Sequence, residues 1–302
     1  ETRPDYGKLE QGNEMLRLGC TRIELGIQTI YDKILEKIGR GHSVKDSIES
    51  TRILKDLGFK INYHVMPGLP GVTKEQDINA LKTLFKDENF KPDMLKIYPC
   101  MVMEGTKLFE EWKKGTFSPL TTKNAASLIA EFMSQIPTYV RVMRLQRDIP
   151  SYLASAGVDR TNLRQYVEKI MKEKGVKCRD IRSREIGHYE KITGKKIKLK
   201  DVDIVVKEYK ASKGKEFFIS AEDIKNDVLV GFVRLRFPSQ SLRKEITKES
   251  ALVRELHIYS PSVALGEKSE SSYQHRGFGK MLLKKAEETA KQNKRKKILV
   301  LS

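Results

Sequence analysis

Short apolar runs alternate with amphipathic stretches along residues 1–137. RIELGI (22–27) reads as a strand, and KINYHVM (60–66) as the next, closed by the turn PGLPG (67–71). Between them, SVKDSIESTRILKDLG (43–58) sets Val44, Ile48, Thr51, Leu54 and Leu57 on one helical face, with Ser43 as cap and Gly58 as stop. KEQDINALKTLF (74–85) predicts a helix, MLKIYP (94–99) a strand and GTKLFEEWKKG (105–115) a helix. Such alternation predicts parallel βαβ units, which carry their binding loops after the C-terminal ends of the strands.

From about residue 201 the pattern turns β-rich. DIVVKEY (203–209), EFFISAED (216–223), DVLVGFVRLRF (227–237) and ALVRELHIYS (251–260) read as strands, KMLLKKAEETAKQN (280–293) as an amphipathic helix and KKILVLS (296–302) as a last strand. Strands first, then a helix and a strand, predict an α+β domain. The organisation expected is therefore 1–137, a basic region 138–200, and 201–302.

Charge sharpens that partition. The 302 residues carry 58 Lys+Arg against 40 Asp+Glu, a net +18. Residues 138–200 alone hold 17 basic and 7 acidic side chains, interleaved with structured segments rather than in a low-complexity run. A surplus of this size points to a polyanionic partner. With 39% apolar and 32% charged residues the chain is neither disordered nor collagen-like. No apolar run approaches the roughly 20 residues of a membrane span, so no membrane partner is expected. Cys20, Cys100 and Cys178 stand too far apart for a zinc finger, a ferredoxin run or a disulfide framework, and read as a reduced, cytoplasmic compartment. Cys100, Cys178 and His188, the one grouping a structural zinc could use, read as ordinary buried or surface residues, and no metal ligand set is expected. A start at Glu1 and a stop inside a strand suggest a fragment at both ends.

The sharpest local motif is Gln274-His275-Arg276-Gly277-Phe278-Gly279, which opens onto the helix at Lys280. Gly277 and Gly279 permit unusual backbone angles, successive N–H groups can face a pyrophosphate, and the helix dipole adds to the attraction. A phosphate loop of the Walker type fails because Met281 follows Lys280, and the dinucleotide pattern G-x-G-x-x-G is missing. The arrangement resembles the GNAT acetyltransferase superfamily. The resemblance implies that the backbone of Glu255, Leu256, His257 and Ile258 lines the thioester arm of acetyl-CoA. Gln274, His275, Arg276, Gly277, Phe278, Gly279 and Lys280 would hold its pyrophosphate. Glu255 and His257 are candidates for a general base, without a basis for choosing, so the catalytic residues stay unassigned.

Three segments of the first half, ETRPD (1–5), IELGIQT (23–29) and HVMPGLPG (64–71), resemble a radical S-adenosylmethionine barrel that begins partway through. That resemblance implies Glu1 at the amino or ribose end of S-adenosylmethionine, Gln28 at the ribose and Arg40 at the carboxylate. The fork of a guanidinium suits the last role. A family position that is often acidic falls on His64. The 4Fe-4S cluster of such enzymes needs a close cysteine triplet, so its ligands are expected outside this chain, which alone would be inactive. The fold class expected is thus α/β, a partial radical S-adenosylmethionine (β/α) barrel followed by an α+β GNAT-like domain.

Taken together with RGHSV (40–44), NYHVMPGLPG (62–71), RLQRDIP (144–150), NLRQ (162–165) and CRDIRSREIG (178–187), the chain resembles the Elongator catalytic-subunit family, in an archaeal-like form. The resemblance implies modification of the wobble uridine of tRNA. A radical formed from S-adenosylmethionine takes a hydrogen from the acetyl methyl of acetyl-CoA, that carbon joins C5 of uridine, and thioester hydrolysis leaves a carboxymethyl group. It also implies a homodimer or an Elongator-type assembly. The anticodon stem-loop would lie on the basic region, through Arg141, Arg144, Arg147, Arg179, Arg182, Arg184, Lys195, Lys196 and Lys198, because phosphate contacts dominate RNA affinity. Two other classes compete. A protein lysine acetyltransferase would acetylate a peptide amine without a cluster, although a +18 enzyme repels basic tails. A non-catalytic RNA-binding scaffold would bind tRNA without turnover.

Overall fold

The structure, a computed structural model, describes residues 1–150, 153–259 and 277–301. The chain runs α1 (Leu9–Arg17), β1 (Arg22–Gln28), α2 (Asp32–Lys37), α3 (Val44–Asp56), β2 (Lys60–Val65), α4 (Lys74–Lys86), β3 (Met94–Ile97) and β4 (Val102–Met103). It continues through α5 (Lys107–Lys113), α6 (Thr122–Met133), β5 (Arg141–Arg144), β6 (Ala154–Ala156), α7 (Leu163–Glu173), α8 (Ile181–Arg184) and α9 (Ile186–Thr193). Then come β7 (Asp203–Ala211), β8 (Gly214–Asp223), β9 (Val228–Phe237), β10 (Ser250–Ile258), α10 (Phe278–Gln292) and β11 (Lys297–Val300).

These elements form two compact units that interleave along the sequence. The first comprises residues 1–7, 24–50 and 61–180, and the second 8–23, 51–60 and 181–302. The basic stretch is therefore divided, with 138–180 in the first unit and 181–200 in the second.

The first unit is built on a four-stranded sheet of order β1-β2-β3-β5, with β2, β3 and β5 parallel. Local chemistry fixes the helices that return the chain between strands. Thr73 and Gln76 form a reciprocal capping box at α4, Thr106 and Thr121 cap α5 and α6, and Ser43 Oγ accepts from Asp46 N as the cap expected for α3.

The second unit is a five-stranded sheet of order β11-β10-β9-β8-β7. Strands β7 to β10 pair antiparallel, and β10 pairs parallel with β11 over Ser250–Val253. Helix α10 covers one face, where Phe278, Leu282 and Ala286 pack with Val230, Val233 and Leu235. Yet β9 is buried at all ten positions, so its other face is covered as well. The cover includes the end of α3 and the turn after it, where every residue from Ile53 to Phe59 is buried. An apolar stripe alone would leave Lys55 and Asp56 in water. Instead Asp56 accepts from Arg236, Glu216 accepts from Lys55, Arg236 and Arg254, and Arg254 donates to Phe59 O. These charges are tolerated in the core because each has an opposite partner at hydrogen-bond distance.

Candidate functional site

The parallel sheet opens, at the C-terminal ends of its strands, into a cavity of about 760 Å³. Gln28 ends β1, Met66 follows β2, Tyr98 follows β3 and Arg147 follows β5, and all four line it. Such a crevice is where parallel sheets bind ligands. The three residues expected at S-adenosylmethionine, Glu1, Gln28 and Arg40, meet in this one cavity.

Arg40 is built for an anion. It donates from Nη2 to Gly26 O at 3.2 Å, while its Nε is buried with no hydrogen-bond partner. Burial, then the charges of Arg3 and Arg147, pull the guanidinium below its ordinary range. A carboxylate would satisfy the orphan donor and offset the neighbouring cations. Gly26 makes the cradle: a Cβ there would lie 2.6 Å from Arg40 Nη2. Gln28 sits at φ 61, in the left-handed region that a residue other than glycine occupies at a cost. The orphan Arg40 Nε and the cradle at Gly26 fit a carboxylate such as that of S-adenosylmethionine.

Period-two placement puts Glu24, Gly26 and Gln28 on one face of β1. Glu24 meets His64 of β2 and Lys96 of β3 there. His64 Nε2 lies 2.7 Å from Glu24 Oε2 and its Nδ1 lies 3.1 Å from Glu1 Oε1. Lys96 donates to Glu24 as well. Burial opposes ionisation of Glu24, but Lys96 and His64 hold its carboxyl down at about 2. Among the described residues, Glu1, Glu24 and His64 are the one group of possible metal ligands brought together. Lys96 and His64 both pair with Glu24, and His64 also faces Glu1, so the group is an ion-paired cluster. Glu24 and Lys96 were missed in the sequence. Their signal was a charged residue at an alternate position in an otherwise apolar strand.

Asp77, also missed, accepts from Gly68 N at 2.7 Å and so pins the turn after β2. Burial pushes its carboxyl up to about 6. The cysteines do not fit an iron–sulfur cluster. Cys20, Cys100 and Cys178 form no disulfide and no ligand group among the described residues. Burial and Asp77 push the Cys100 thiol up to about 11, away from the thiolate a cluster needs. His188 joins no such group either.

In the second unit β10 continues to Ile258, whereas its pairing with β11 stops at Val253. Glu255, Leu256, His257 and Ile258 thus lie on the segment beyond the shared register. Gly231 of β9 lets this segment approach: a Cβ there would lie 2.7 Å from His257 O. Glu255 accepts from Arg234 Nε at 2.8 Å, and Arg234 lies over the rings of Phe218 and Phe232. That ion pair engages one of the two general-base candidates. His257 is exposed and stacks on Phe232 at 6.2 Å.

The helix α10 begins at Phe278, two residues before the expected start at Lys280, with Gly277 in the left-handed conformation at φ 89. Gly279 lies inside α10 without positive φ, which corrects the expectation of unusual backbone angles there: its N–H groups belong to the first helical turn. Phe278 is buried and Lys280 exposed. Gln274, His275 and Arg276 lie outside the described residues.

The basic candidates separate into groups. Arg141 is half-buried, Arg144 pairs with Asp148, Arg147 lines the cavity and Arg179 is exposed, all in the first unit. Arg182, Lys195, Lys196 and Lys198 are exposed in the second. Arg184 is a correction. It is only 3% exposed and donates to Glu222 and, at 2.8 Å, to Asp227, so its fork is used inside the fold.

Comparison with known proteins identifies the relatives of each part of the chain. Residues 1–84 match the Radical SAM superfamily, 92–173 the Radical_SAM C-terminal domain and 195–302 the Acetyltransferase (GNAT) family. The chain is 47% identical over 304 residues to the tRNA uridine(34) acetyltransferase of Methanocaldococcus infernus, of which it spans 57%. It is 42% identical to Elongator complex protein 3 of Schizosaccharomyces pombe, spanning 56% of it. The chain thus spans little more than half the length of these relatives. All of it superposes, with a TM-score of 0.95 and 47% identity, on 71% of the solved Methanocaldococcus infernus Elp3 lacking residues 1–46. No described helix is long and apolar enough to cross a membrane.

Proposed function

The chain belongs to the Elongator complex protein 3 (Elp3) family, and from that premise we propose that its protein carboxymethylates C5 of uridine 34 in tRNA, with acetyl-CoA as the carbon source. The observation that carries this reading is the pairing, on one chain, of two units. One gathers Glu1, Gln28 and Arg40 in a cavity at the strand ends, and the other extends β10 past its register with β11.

Arg40 would take the carboxylate of S-adenosylmethionine, Gln28 its ribose and Glu1 its amino end. When bound there, that cofactor supplies the hydrogen-abstracting chemistry that activates the acetyl methyl group. The cysteines of this chain do not fit the cluster such chemistry uses, so its ligands are assigned to another part of the protein. Glu255 to Ile258 would hold the thioester arm through the backbone, and the helix start at Gly277 to Lys280, with Gln274, His275 and Arg276, the pyrophosphate. The anticodon stem-loop would be held by Arg141, Arg144, Arg147, Arg179, Arg182, Lys195, Lys196 and Lys198. The protein would act in the cytoplasm, as a homodimer or in an Elongator-type assembly.

The test is nucleoside mass spectrometry of tRNA incubated with the full-length, cluster-loaded protein, S-adenosylmethionine and acetyl-CoA. Carboxymethyl at C5 of uridine 34 is the expected product. Acetylated peptide lysines with unmodified tRNA would overturn the reading in favour of a protein acetyltransferase. Tight tRNA binding without any product would favour a scaffold.

A further inference from the structure

We propose that His64 is a proton-linked positioning residue of the cavity: its imidazolium and the α-ammonium of the ligand compete for Glu1, so that seating the aminoacyl end expels the imidazole proton. The inference rests on the S-adenosylmethionine reading of that cavity and deepens it.

The His64 side chain is only 5% exposed, and each ring nitrogen faces a carboxylate: Nε2 at 2.7 Å from Glu24 and Nδ1 at 3.1 Å from Glu1. An imidazolium has two N–H groups and satisfies both, whereas a neutral ring must turn a lone pair toward one of them. The groups that face it are Glu1 from the N-terminal segment, Glu24 from β1 and Lys96 from β3, with the ring of Tyr98 edge-on at 5.3 Å. The two carboxylates are not equivalent. Glu24 is held by Lys96, while Glu1 lines the cavity. Of this array, Glu1 is the member a ligand cation can reach.

Competition for one acceptor then sets the coupling. A ligand ammonium at Glu1 takes the oxygen that Nδ1–H of the imidazolium needs, while the ligand carboxylate is taken up at Arg40. Loss of the His64 proton to solvent leaves Nδ1 a lone pair that can itself accept from the ammonium. Burial draws the imidazole below its ordinary range against the pull of the two carboxylates. The linkage therefore falls on the acid side of about pH 6.5.

The experiment is titration calorimetry of S-adenosylhomocysteine into the full-length protein between about pH 5 and 7, below the titration of an α-amino group. It is run in two buffers of different ionisation enthalpy. The expected affinity rises with pH on the acid side, toward about tenfold per unit, with heats that report up to one released proton. 5′-Methylthioadenosine, which lacks the ammonium, is expected to bind with a flat profile. His64→Asn keeps an N–H donor, cannot ionise, and is expected to flatten the S-adenosylhomocysteine profile. The buffer heats on the unaltered protein hold the test open should that variant fail to fold. A flat wild-type profile, an unchanged slope in H64N, or an equal slope for both ligands overturns the inference and leaves the cavity reading standing. Failure of both ligands to bind at any pH overturns the cavity reading itself.

Discussion

Asp56 and Arg236, 180 residues apart in sequence, form an ion pair in which Asp56 Oδ1 accepts from both Nε at 2.8 Å and Nη2 at 2.6 Å. Both side chains are fully buried, and Ser239 Oγ donates to the second carboxylate oxygen at 2.7 Å. Truncating Asp56 leaves Lys55, Arg236 and Arg254 to share the one carboxylate of Glu216 in the core, an imbalance that costs about 3–5 kcal/mol. Asp56→Ala is therefore expected to lower stability toward denaturant by that amount, whereas Glu49→Ala, exposed on the same helix, stays within about 0.5 kcal/mol. Equilibrium unfolding of the two variants in urea checks this. Equal stabilities would mean that Arg236 finds water or another acceptor.

Gly26 O accepts from Arg40 Nη2 at 3.2 Å, and a Cβ on Gly26 would lie 2.6 Å from that nitrogen and 2.9 Å from Gln28 Nε2. Gly26→Ala is expected to push both side chains out of the cavity while keeping the strand. The measurement is S-adenosylhomocysteine affinity, which should fall at least about tenfold, the value of one charge-assisted hydrogen bond. Retained affinity with retained fold would place the ligand carboxylate elsewhere than on Arg40.

The parts of the fold that were legible are those set by neighbours in sequence. The period of the apolar positions places β1, α3, β2 and α4, and Thr73 with Gln76 announces the start of α4. The glycine before Phe278 marks the start of α10. Lys55, Asp56 and Arg184 were not legible. In sequence they look like the charged side of a helix, but their burial depends on Glu216, Arg236, Glu222 and Asp227, which the chain supplies far downstream. At the cavity the resemblance points to Glu1, Gln28 and Arg40 and puts a family position on His64, but gives no sign of the partners His64 meets. Glu24, His64 and Lys96 come together only through the order of parallel strands, which a local pattern does not encode.

Asp77 gives a prediction with a definite sign. Its folded carboxyl titrates at about 6 against an ordinary 3.8, because burial disfavours the charge. The protonated form is therefore favoured by folding. That contribution is complete below about pH 3.8 and is lost as pH rises through 6. Asp77→Asn keeps an acceptor for Gly68 N and carries no charge. It is expected to be more stable than the unaltered protein above pH 7, by about 2–3 kcal/mol at most, and to lose that advantage near pH 4. Chemical unfolding of both proteins at the two pH values checks this, and an advantage that persists unchanged in acid would assign the gain to packing.

Arg184 and the lysines after it are expected to part company when charge is removed. Lys195, Lys196 and Lys198 are exposed, so reversing all three should weaken tRNA binding and make its dependence on salt less steep, in proportion to the phosphates no longer neutralised. The fold should be unaffected, since exposed lysines contribute little to stability. Arg184→Gln should do the reverse. It leaves Glu222 and Asp227 without their shared guanidinium, so the second unit is expected to melt at a lower temperature, with the salt slope of RNA binding unchanged at temperatures where it stays folded. Filter binding across a salt series, with a thermal melt of each variant, separates the two effects. A reduced salt slope in R184Q with an unchanged melt would return Arg184 to the RNA-binding surface.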